Sequence, residues 1–191
     1  MENAIEIQNL RKVYRVGEEK LVALNDISLT VKAGEICCIL GTSGSGKSTL
    51  LNLIAGLEKP TRGSVMINGF HIEKMNERQL ALFRRRYIGF VFQSYNLLPT
   101  LTALENVSLP LQFRGVNRHL RQKQAASILS AVGLKTHLNH KPTQMSGGQQ
   151  QRVGIARAFV SKPRLILADE PTGNLDSKTT REVMDLIFQL A

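Results

Sequence analysis

The chain has 191 residues, enough for one domain with a sizeable core, and its 42% hydrophobic and 21% charged residues are ordinary for a globular protein. No apolar run is as long as a membrane span, and the first residues lack the basic-then-apolar order of a signal peptide. These properties exclude an integral membrane protein and a secreted one. We therefore expect a single domain, 1–191, in the cytosol.

The net charge of +10 would suit a nucleic acid or an anionic membrane surface as a partner. The basic residues are mostly scattered, however, and the one tight run is Arg84-Arg85-Arg86. This run follows a short amphipathic stretch, so it fits a solvated helix end as well as an anion-binding patch. Charge alone does not decide between the two.

The first part of the chain is predicted to be rich in strands. Apolar residues over 5–10 predict a first strand, and Ile27–Val31 alternates apolar and polar residues as a second. Glu35–Leu40 is almost continuously apolar, which is typical of a buried strand. Cys37 and Cys38 lie side by side within it. We expect both to be small core side chains, because adjacent strand residues point to opposite faces and no activating environment is evident.

The segment Gly41–Ser48 has the sequence GTSGSGKS and matches the pattern G-x-x-x-x-G-K-[ST] in full. Its glycines let the backbone wrap a phosphate chain with N–H groups aimed at the anionic oxygens. Lys47 supplies a charge for the β- and γ-phosphates, and the Ser48 hydroxyl is a ligand for Mg²⁺. A helix predicted over Thr49–Leu57 favours the same anion at its N-terminus. The sequence therefore predicts that the chain binds a nucleoside triphosphate.

The next predicted elements have local signals. Asn-Gly within Val65–Phe70 predicts a tight hairpin turn. Asn76, with Gln79 three residues later, predicts the start of a helix. Tyr87–Phe92 is aromatic and β-branched, which predicts a buried strand.

Between residues 95 and 141 the texture changes to Leu-rich segments with helical spacing. Two helices are predicted here, over Leu101–Phe113 and Leu120–Val132, the second ending at a glycine. We expect a helical subdomain, 95–141, inserted into an α/β core formed by 1–94 and 142–191.

Ser146-Gly147-Gly148-Gln149 has the S-x-x-Q spacing of a capping box, which predicts a helix that begins here and runs to Phe159. Two glycines in the first turn lower the helix propensity but leave the N–H groups uncovered, which suits the binding of a phosphate. A plain helix cap is the alternative.

A second apolar run, Leu165–Ala168, ends in the acidic pair Asp169-Glu170. The carboxyl ends of buried parallel strands are where α/β folds bind ligands. Asp169 would hold Mg²⁺ there, and Glu170 would polarise an attacking water as a general base. An acidic turn is the alternative, but the presence of Gly41–Ser48 favours the metal site.

Taken together, these motifs resemble the ATP-binding subunits of ABC transporters over essentially the whole chain. The motifs, in order, are Gly41–Ser48, Gln93, Ser146–Gln149, Leu165–Glu170 and Asn174–Asp176. The segments 89–93 (GFVFQ), 104–107 (LENV) and 167–176 (LADEPTGNLD) are similar to the lipoprotein-release and macrolide-export type (LolD- and MacB-like), with the cell-division ATPase FtsE nearby. The resemblance implies an α/β fold, a P-loop NTPase core with a mainly parallel sheet, an N-terminal antiparallel β-subdomain and an inserted helical subdomain.

The resemblance also implies roles for residues. Tyr14 would stack on adenine, with an ordinary surface tyrosine as the alternative, and Gln93 would sense the γ-phosphate and Mg²⁺, with a strand-end glutamine as the alternative. Ser146–Gln149 and Asp176 would act in trans on ATP held by a second copy. The implied nucleotide-binding residues are Tyr14, Gly41, Thr42, Ser43, Gly44, Ser45, Gly46, Lys47, Ser48, Thr49, Ser146, Gly147, Gly148, Gln149 and Asp176. The implied metal ligands are Ser48, Gln93 and Asp169, and the implied catalytic residues are Lys47, Gln93 and Glu170.

One feature of the family is absent. ABC ATPases carry a switch histidine after a further strand, whereas the four histidines here, His71, His119, His137 and His140, all precede Asp169. We therefore expect that the C-terminal part of the domain is missing from this chain. In related ATPases the further strand lies between those that carry Lys47 and Asp169, so its loss would leave unpaired backbone groups on both. ATP binding is predicted, and hydrolysis stays open.

The resemblance implies ATP and Mg²⁺ as cofactors, and as partners a second copy of the chain and an integral membrane permease, reached through the Gln93 loop and Leu101–Pro110. The complex would lie on the inner face of the cell membrane and power export or the extraction of lipids or lipoproteins. One alternative is a subunit that binds ATP without hydrolysing it. The other is a non-transport ATPase acting on nucleic acid, but those relatives contain long coiled coils and no sustained heptads occur here. We expect no nucleic-acid partner.

Overall fold

The computed structural model describes residues 2–191. The described chain forms two compact units, residues 2–84 and 85–191. None of the helices in residues 2–191 is long and apolar enough to cross a membrane.

The first unit is built on a four-stranded antiparallel sheet with the strand order β2-β1-β3-β4. The strands are β1 (Asn3–Val16), β2 (Glu19–Lys32), β3 (Arg62–Ile67) and β4 (Phe70–His71). Ile5 lies opposite Ile67 and Ile7 lies opposite Val65, and all four side chains are buried. Such apolar cross-strand pairs stabilise a sheet. Both predicted N-terminal strands are confirmed. They extend beyond the segments of apolar residues that predicted them, because the backbone hydrogen bonds of a sheet do not require apolar side chains.

The predicted hairpin and helix starts of this part of the chain are confirmed. Asn68 and Gly69 join β3 to β4 with φ of 47° and 80°, as a type I′ turn requires at both central positions. Helix α1 (Lys47–Ile54) follows the phosphate-binding segment, and helix α2 (Glu77–Tyr87) follows Asn76. The Asn76 and Gln79 side chains accept reciprocally from each other's backbone N–H, both at 2.9 Å.

The predicted buried strand at Glu35–Leu40 is wrong. The segment forms no strand, Ile36 is 64% exposed and Leu40 is 92% exposed. A strand needs a neighbour for its backbone groups, and among residues 2–191 no strand pairs with this segment. The apolar sequence records a preference for burial, but burial itself requires a packing partner. For the same reason the predicted core position of Cys37 and Cys38 is wrong, and both thiols are exposed.

The second unit combines a parallel strand pair with four helices. Its elements are β5 (Ile88–Val91), α3 (Ala103–Phe113), α4 (Arg118–Ala131), α5 (Gly147–Phe159), β6 (Leu165–Ala168) and α6 (Ser177–Leu190). β5 and β6 run parallel from the pair Ile88–Leu165 to the pair Val91–Ala168. α5 lies close against β5, because a Cβ on Gly89 would collide with the Ala158 carbonyl. The elements from β5 to β6 each occupy a predicted segment.

The core of the second unit lies among its helices. α3 begins at a capping box in which Thr102 and Glu105 bind each other's backbone N–H. Side chains from α3, α4, α5 and α6 pack in one cluster, including Val107, Leu111, Leu129, Val153, Ile155 and Val183. Val183 and Leu186 of α6 are therefore buried within this unit.

The arginine run lies at the C-terminal end of α2. Arg85 Nη1 donates to the carbonyl oxygen of Phe113 at the end of α3 (2.8 Å). Arg114 in turn donates to the carbonyl oxygens of Arg85 (2.7 Å) and Arg86 (2.8 Å). Burial, together with the neighbouring Arg85 and Arg86 charges, lowers the pKa of Arg114. These contacts favour the helix-end interpretation of the run over an anion-binding patch.

Candidate functional site: a phosphate loop and a carboxylate-bearing strand end

The phosphate loop is wound tightly enough to need its glycines. Gly46 caps α1 with φ of 92°, and a Cβ there would lie 2.6 Å from the Ala23 carbonyl oxygen. A Cβ on Gly41 would lie 2.6 Å from the Ser45 hydroxyl oxygen. A side chain at Gly46 would collide with backbone, whereas one at Gly41 would displace the Ser45 hydroxyl group. The backbone is therefore in the narrow conformation that a phosphate cradle requires.

Lys47 is folded back over this loop. Its ammonium group donates to the carbonyl oxygens of Gly41 and Thr42, both at 2.9 Å. The charge is thus held at the N-terminus of α1, where the backbone N–H groups already favour an anion. The remaining predicted residues of the loop, Ser43, Gly44, Ser45, Ser48 and Thr49, occupy the same turn and the first turn of α1. The arrangement fits the terminal phosphates of a nucleotide.

Tyr14 lies on β1 and is held by a small polar network in the first unit. Its hydroxyl donates to Glu58 (2.6 Å), which also pairs with Lys12 (3.0 Å). The Lys12 ammonium lies 4.9 Å from the centre of the Tyr14 ring. Burial and the Glu58 carboxylate raise the pKa of Tyr14. Burial opposes the ionisation of Glu58, but the hydrogen bonds from Tyr14 and Lys12 outweigh it and lower the pKa of Glu58.

The acidic pair lies at the carboxyl end of β6. The backbone N–H of Asp169 donates to Val91 (3.0 Å), so the ladder between β5 and β6 extends to this residue. Glu170 has φ of 42°, a conformation uncommon for a residue with a side chain. Gln93, just beyond β5, donates from Nε2 to Glu170 Oε2 at 2.9 Å. Two predicted catalytic residues, 77 positions apart in sequence, are thus in direct contact.

The Ser146–Gln149 segment begins α5 as predicted. The Gln149 side chain accepts from the Ser146 N–H (2.9 Å), and the Ser146 hydroxyl accepts from the Gln149 N–H (3.3 Å). The Gln149 amide group also donates to His137 Nε2 at 3.1 Å. Gly147 and Gly148 form the first turn without side chains to cover its N–H groups. The turn is capped locally and still presents backbone donors.

Asp176 lies directly before α6. Its carboxylate accepts from the Thr179 N–H (3.0 Å) and from the Thr179 hydroxyl (2.6 Å). A Cβ on Gly148 would lie 2.8 Å from the Thr179 methyl group. The start of α6 therefore lies close to the start of α5, and Asp176 also serves as a helix cap.

Asn174, part of the predicted motif Asn174–Asp176, donates to the Gln93 carbonyl oxygen (3.1 Å). Two further polar residues of this region were not found from the sequence. Gln151 is buried and donates to the Pro171 carbonyl oxygen, and Arg157 donates to backbone carbonyls beyond Gln93. Each joins segments far apart in sequence, which no local pattern indicates. The signal that existed was a polar side chain inside a helix of otherwise buried residues.

The motifs of the chain, and the local geometry within each unit, are those of a nucleotide-binding α/β protein. Residues 24–173 match the family model described as ABC transporter, and the chain belongs to this family. An uncharacterized ABC transporter ATP-binding protein of Thermotoga maritima is 52% identical over 190 residues, which cover 100% of this chain and 81% of the relative. The lipoprotein-releasing system ATP-binding protein LolD of Alcanivorax borkumensis is 50% identical over 186 residues, or 97% of this chain and 82% of the relative.

A solved structure agrees with the fold. The dimeric, post-hydrolysis structure of the ATP-binding cassette MJ0796 of Methanocaldococcus jannaschii, bound to ADP and Pi, matches with a TM-score of 0.91 at 48% identity. The match covers 97% of this chain and 82% of that one. The family and fold class inferred from the motifs are confirmed.

Proposed function

We propose that this chain is the ATP-binding subunit of an ABC transporter and that it binds and hydrolyses Mg-ATP to drive a membrane permease. One observation carries the proposal: the Lys47 ammonium group is held over a glycine loop at the N-terminus of α1. A cation, converging N–H groups and a helix N-terminus form a site for the phosphates of a nucleotide.

The two units supply different parts of the chemistry. In the first unit, Lys47 and the N–H groups of Gly41–Ser48 bind the phosphates, and Tyr14 binds the base. Ser48, Gln93 and Asp169 would be the ligands of Mg²⁺, which would supply positive charge for phosphoryl transfer. Glu170 accepts a proton from the attacking water. The hydrogen bond from Gln93 Nε2 fixes the position of the Glu170 carboxylate.

We also propose that two copies bind ATP between them, head to tail. Ser146–Gln149 and Asp176 of one copy would contact the nucleotide held by the other. The uncovered first turn of α5 supports this role, because N–H groups at a helix N-terminus favour a phosphate. The relative MJ0796 is dimeric with ADP and Pi bound, which further supports a dimer here.

The partner that converts this cycle into work is an integral membrane permease, contacted through the Gln93 loop and Leu101–Pro110. The chain then lies at the inner face of the cell membrane. The similarity to LolD, named for lipoprotein release, supports export or the extraction of lipids or lipoproteins as the task.

Lys47→Ala tests the phosphate loop. We expect the affinity for Mg-ATP to fall about a hundredfold or more, because charge-assisted bonds to phosphate worth about 3 kcal/mol are lost. The matched control is Lys20→Ala, an exposed lysine of β2, which should bind as the parent chain does. Titration calorimetry measures both. Unchanged affinity in Lys47→Ala would refute the assignment.

Glu170→Gln tests the base. It removes the proton acceptor and keeps the shape of the side chain, so we expect Mg-ATP binding to persist and turnover to fall about a hundredfold or more. The matched control is Glu19→Gln on β2. Normal turnover in Glu170→Gln would show that another group acts as the base.

A further inference from the structure

The backbone just beyond Gln93 is in an unfavourable conformation. Tyr95 and Asn96 both have positive φ, 59° and 48°. The left-handed region is unfavourable for residues with a Cβ, and more so for a bulky side chain than for asparagine. Two such residues in succession persist only where their surroundings hold them, and strained backbone of this kind clusters at functional sites. We call Tyr95-Asn96 the left-handed turn.

Arg157 of α5 binds the backbone of this turn. Its Nη2 donates to the Tyr95 carbonyl oxygen at 2.8 Å, and its Nη1 donates to the Asn96 carbonyl oxygen. Burial lowers the pKa of Arg157, and in residues 2–191 no carboxylate forms an ion pair with it. The planar fork of a guanidinium group holds its donors in a fixed geometry, whereas a lysine ammonium is a point charge on a flexible stem. A partly buried cation here binds two backbone carbonyls.

The same helix contacts the turn at a second point. A Cβ on Gly147, in the first turn of α5, would lie 2.9 Å from the Tyr95 hydroxyl oxygen. The Tyr95 ring thus approaches the segment that we propose binds the partner copy's nucleotide. α5 therefore contacts the left-handed turn at two points. Arg157 binds the backbone carbonyls of the turn, and Gly147 leaves room for the Tyr95 hydroxyl group.

The left-handed turn also restrains Gln93, which lies two residues before Tyr95. Asn174 donates to the Gln93 carbonyl oxygen at 3.1 Å, and the Gln93 amide donates to Glu170. Space around this contact is limited, because a Cβ on Gly173 would lie 2.9 Å from Gln93 Nε2. A change of backbone direction at Tyr95 would therefore move the Gln93 amide off the Glu170 carboxylate.

We propose that Arg157 is a positioning residue: by holding the left-handed turn Tyr95-Asn96, it sets the Gln93 amide against the Glu170 carboxylate. Arg157 does not touch the reacting atoms. Its effect on turnover rests on the proposed function of Glu170 as the base, whereas its effect on the turn does not.

The test compares Arg157→Lys, which keeps the charge and loses the fork, with the parent chain. The reporters are the amides of Asn96, bonded to the Ser94 carbonyl (2.6 Å), and Leu98, bonded to Asn106 (2.8 Å). We expect their hydrogen exchange to accelerate about tenfold or more in Arg157→Lys, with exchange in α4 unchanged. Unchanged exchange at both amides would overturn the proposal.

Substitutions at Asn96 give a second test, made both together with Arg157→Lys and in the parent chain. Glycine is tolerated in the left-handed region and alanine is not. In the Arg157→Lys background, Asn96→Gly should slow the exchange back towards the parent rate, and Asn96→Ala should accelerate it further. If Arg157→Lys fails to fold, the same pair in the parent background should still differ in this order. Equal exchange in the two Asn96 variants would overturn the proposal.

Turnover separates positioning from general stability. We expect Arg157→Lys to lower ATP turnover about tenfold or more while the Mg-ATP affinity stays within about threefold, and Asn96→Gly to restore part of the turnover. Loosened exchange with unchanged turnover would refute the link to Glu170. If Glu170→Gln turns over normally, the proposed base fails, and exchange still reports whether Arg157 holds the turn.

Discussion

Asn106 organises the loop that precedes α3, and replacing it with leucine should destabilise the second unit. Its side chain is fully buried. Its Oδ1 accepts from the Leu98 N–H (2.8 Å), and its Nδ2 lies within 3.1 Å of the carbonyl oxygens of Leu98, Leu101 and Thr102. Leucine has the same branched shape but none of these groups. The variant therefore removes the hydrogen bonds while an apolar side chain still fills the space.

The magnitude follows from the number of groups that lose a partner. One oxygen and two amide hydrogens make about three hydrogen bonds, each worth about 1 kcal/mol. The carbonyls of Leu98 and Thr102 keep backbone partners in the N–H groups of Leu101 and Asn106. We therefore expect the free energy of unfolding to fall by about 3 kcal/mol.

Urea unfolding followed by far-UV circular dichroism measures this loss. The matched control is Asn117→Ala, because Asn117 caps the exposed start of α4 with a single bond from the His119 N–H (2.9 Å). That substitution should cost about 1 kcal/mol. A loss for Asn106→Leu no greater than that of the control would refute the hydrogen-bond account.

The remaining predictions concern the first unit. Gly46→Ala should weaken Mg-ATP binding more than Gly44→Ala does. Both glycines have positive φ, but of the two only Gly46 lacks room for a Cβ, because it lies beside the Ala23 carbonyl. Equal affinities of the two variants in calorimetry would contradict this prediction. Glu58→Gln should destabilise the chain at pH 7 and progressively less as the pH falls below about 4. The lowered pKa of Glu58 means that its carboxylate stabilises the fold above its unfolded pKa and ceases to do so once it is protonated. Thermal unfolding of the parent chain and of Glu58→Gln across pH measures the difference in their stability. A difference that does not change with pH would contradict the prediction.

Much of the fold was predictable because its determinants lie close together in sequence. The helix starts at Asn76 and Ser146 depend on a partner three residues later. The turn at Asn68-Gly69 depends on the backbone preferences of its own two residues. The glycines and lysine of the phosphate loop are likewise consecutive. Local signals of this kind need no knowledge of tertiary contacts.

What could not be predicted depends on distant contacts. Arg157 binds carbonyls 61 and 62 residues away, and neither end of that contact leaves a periodic pattern. The exposure of Glu35–Leu40 was missed for the converse reason, since its composition favours burial whether or not a neighbouring strand is there to pair with it. Tyr14 lies on β1 beyond the predicted strand 5–10, and its bond to Glu58 across 44 residues was not predicted either.

The ends of α2 and α3 depend on each other. Arg85 lies in the last turn of α2 and caps the final carbonyl of α3, while Arg114, the residue just after α3, caps the last turn of α2. Neither helix end therefore frays alone, because the loss of either last turn removes a donor from the other. The two ends should melt as one cooperative step, and a substitution at either arginine is felt at both.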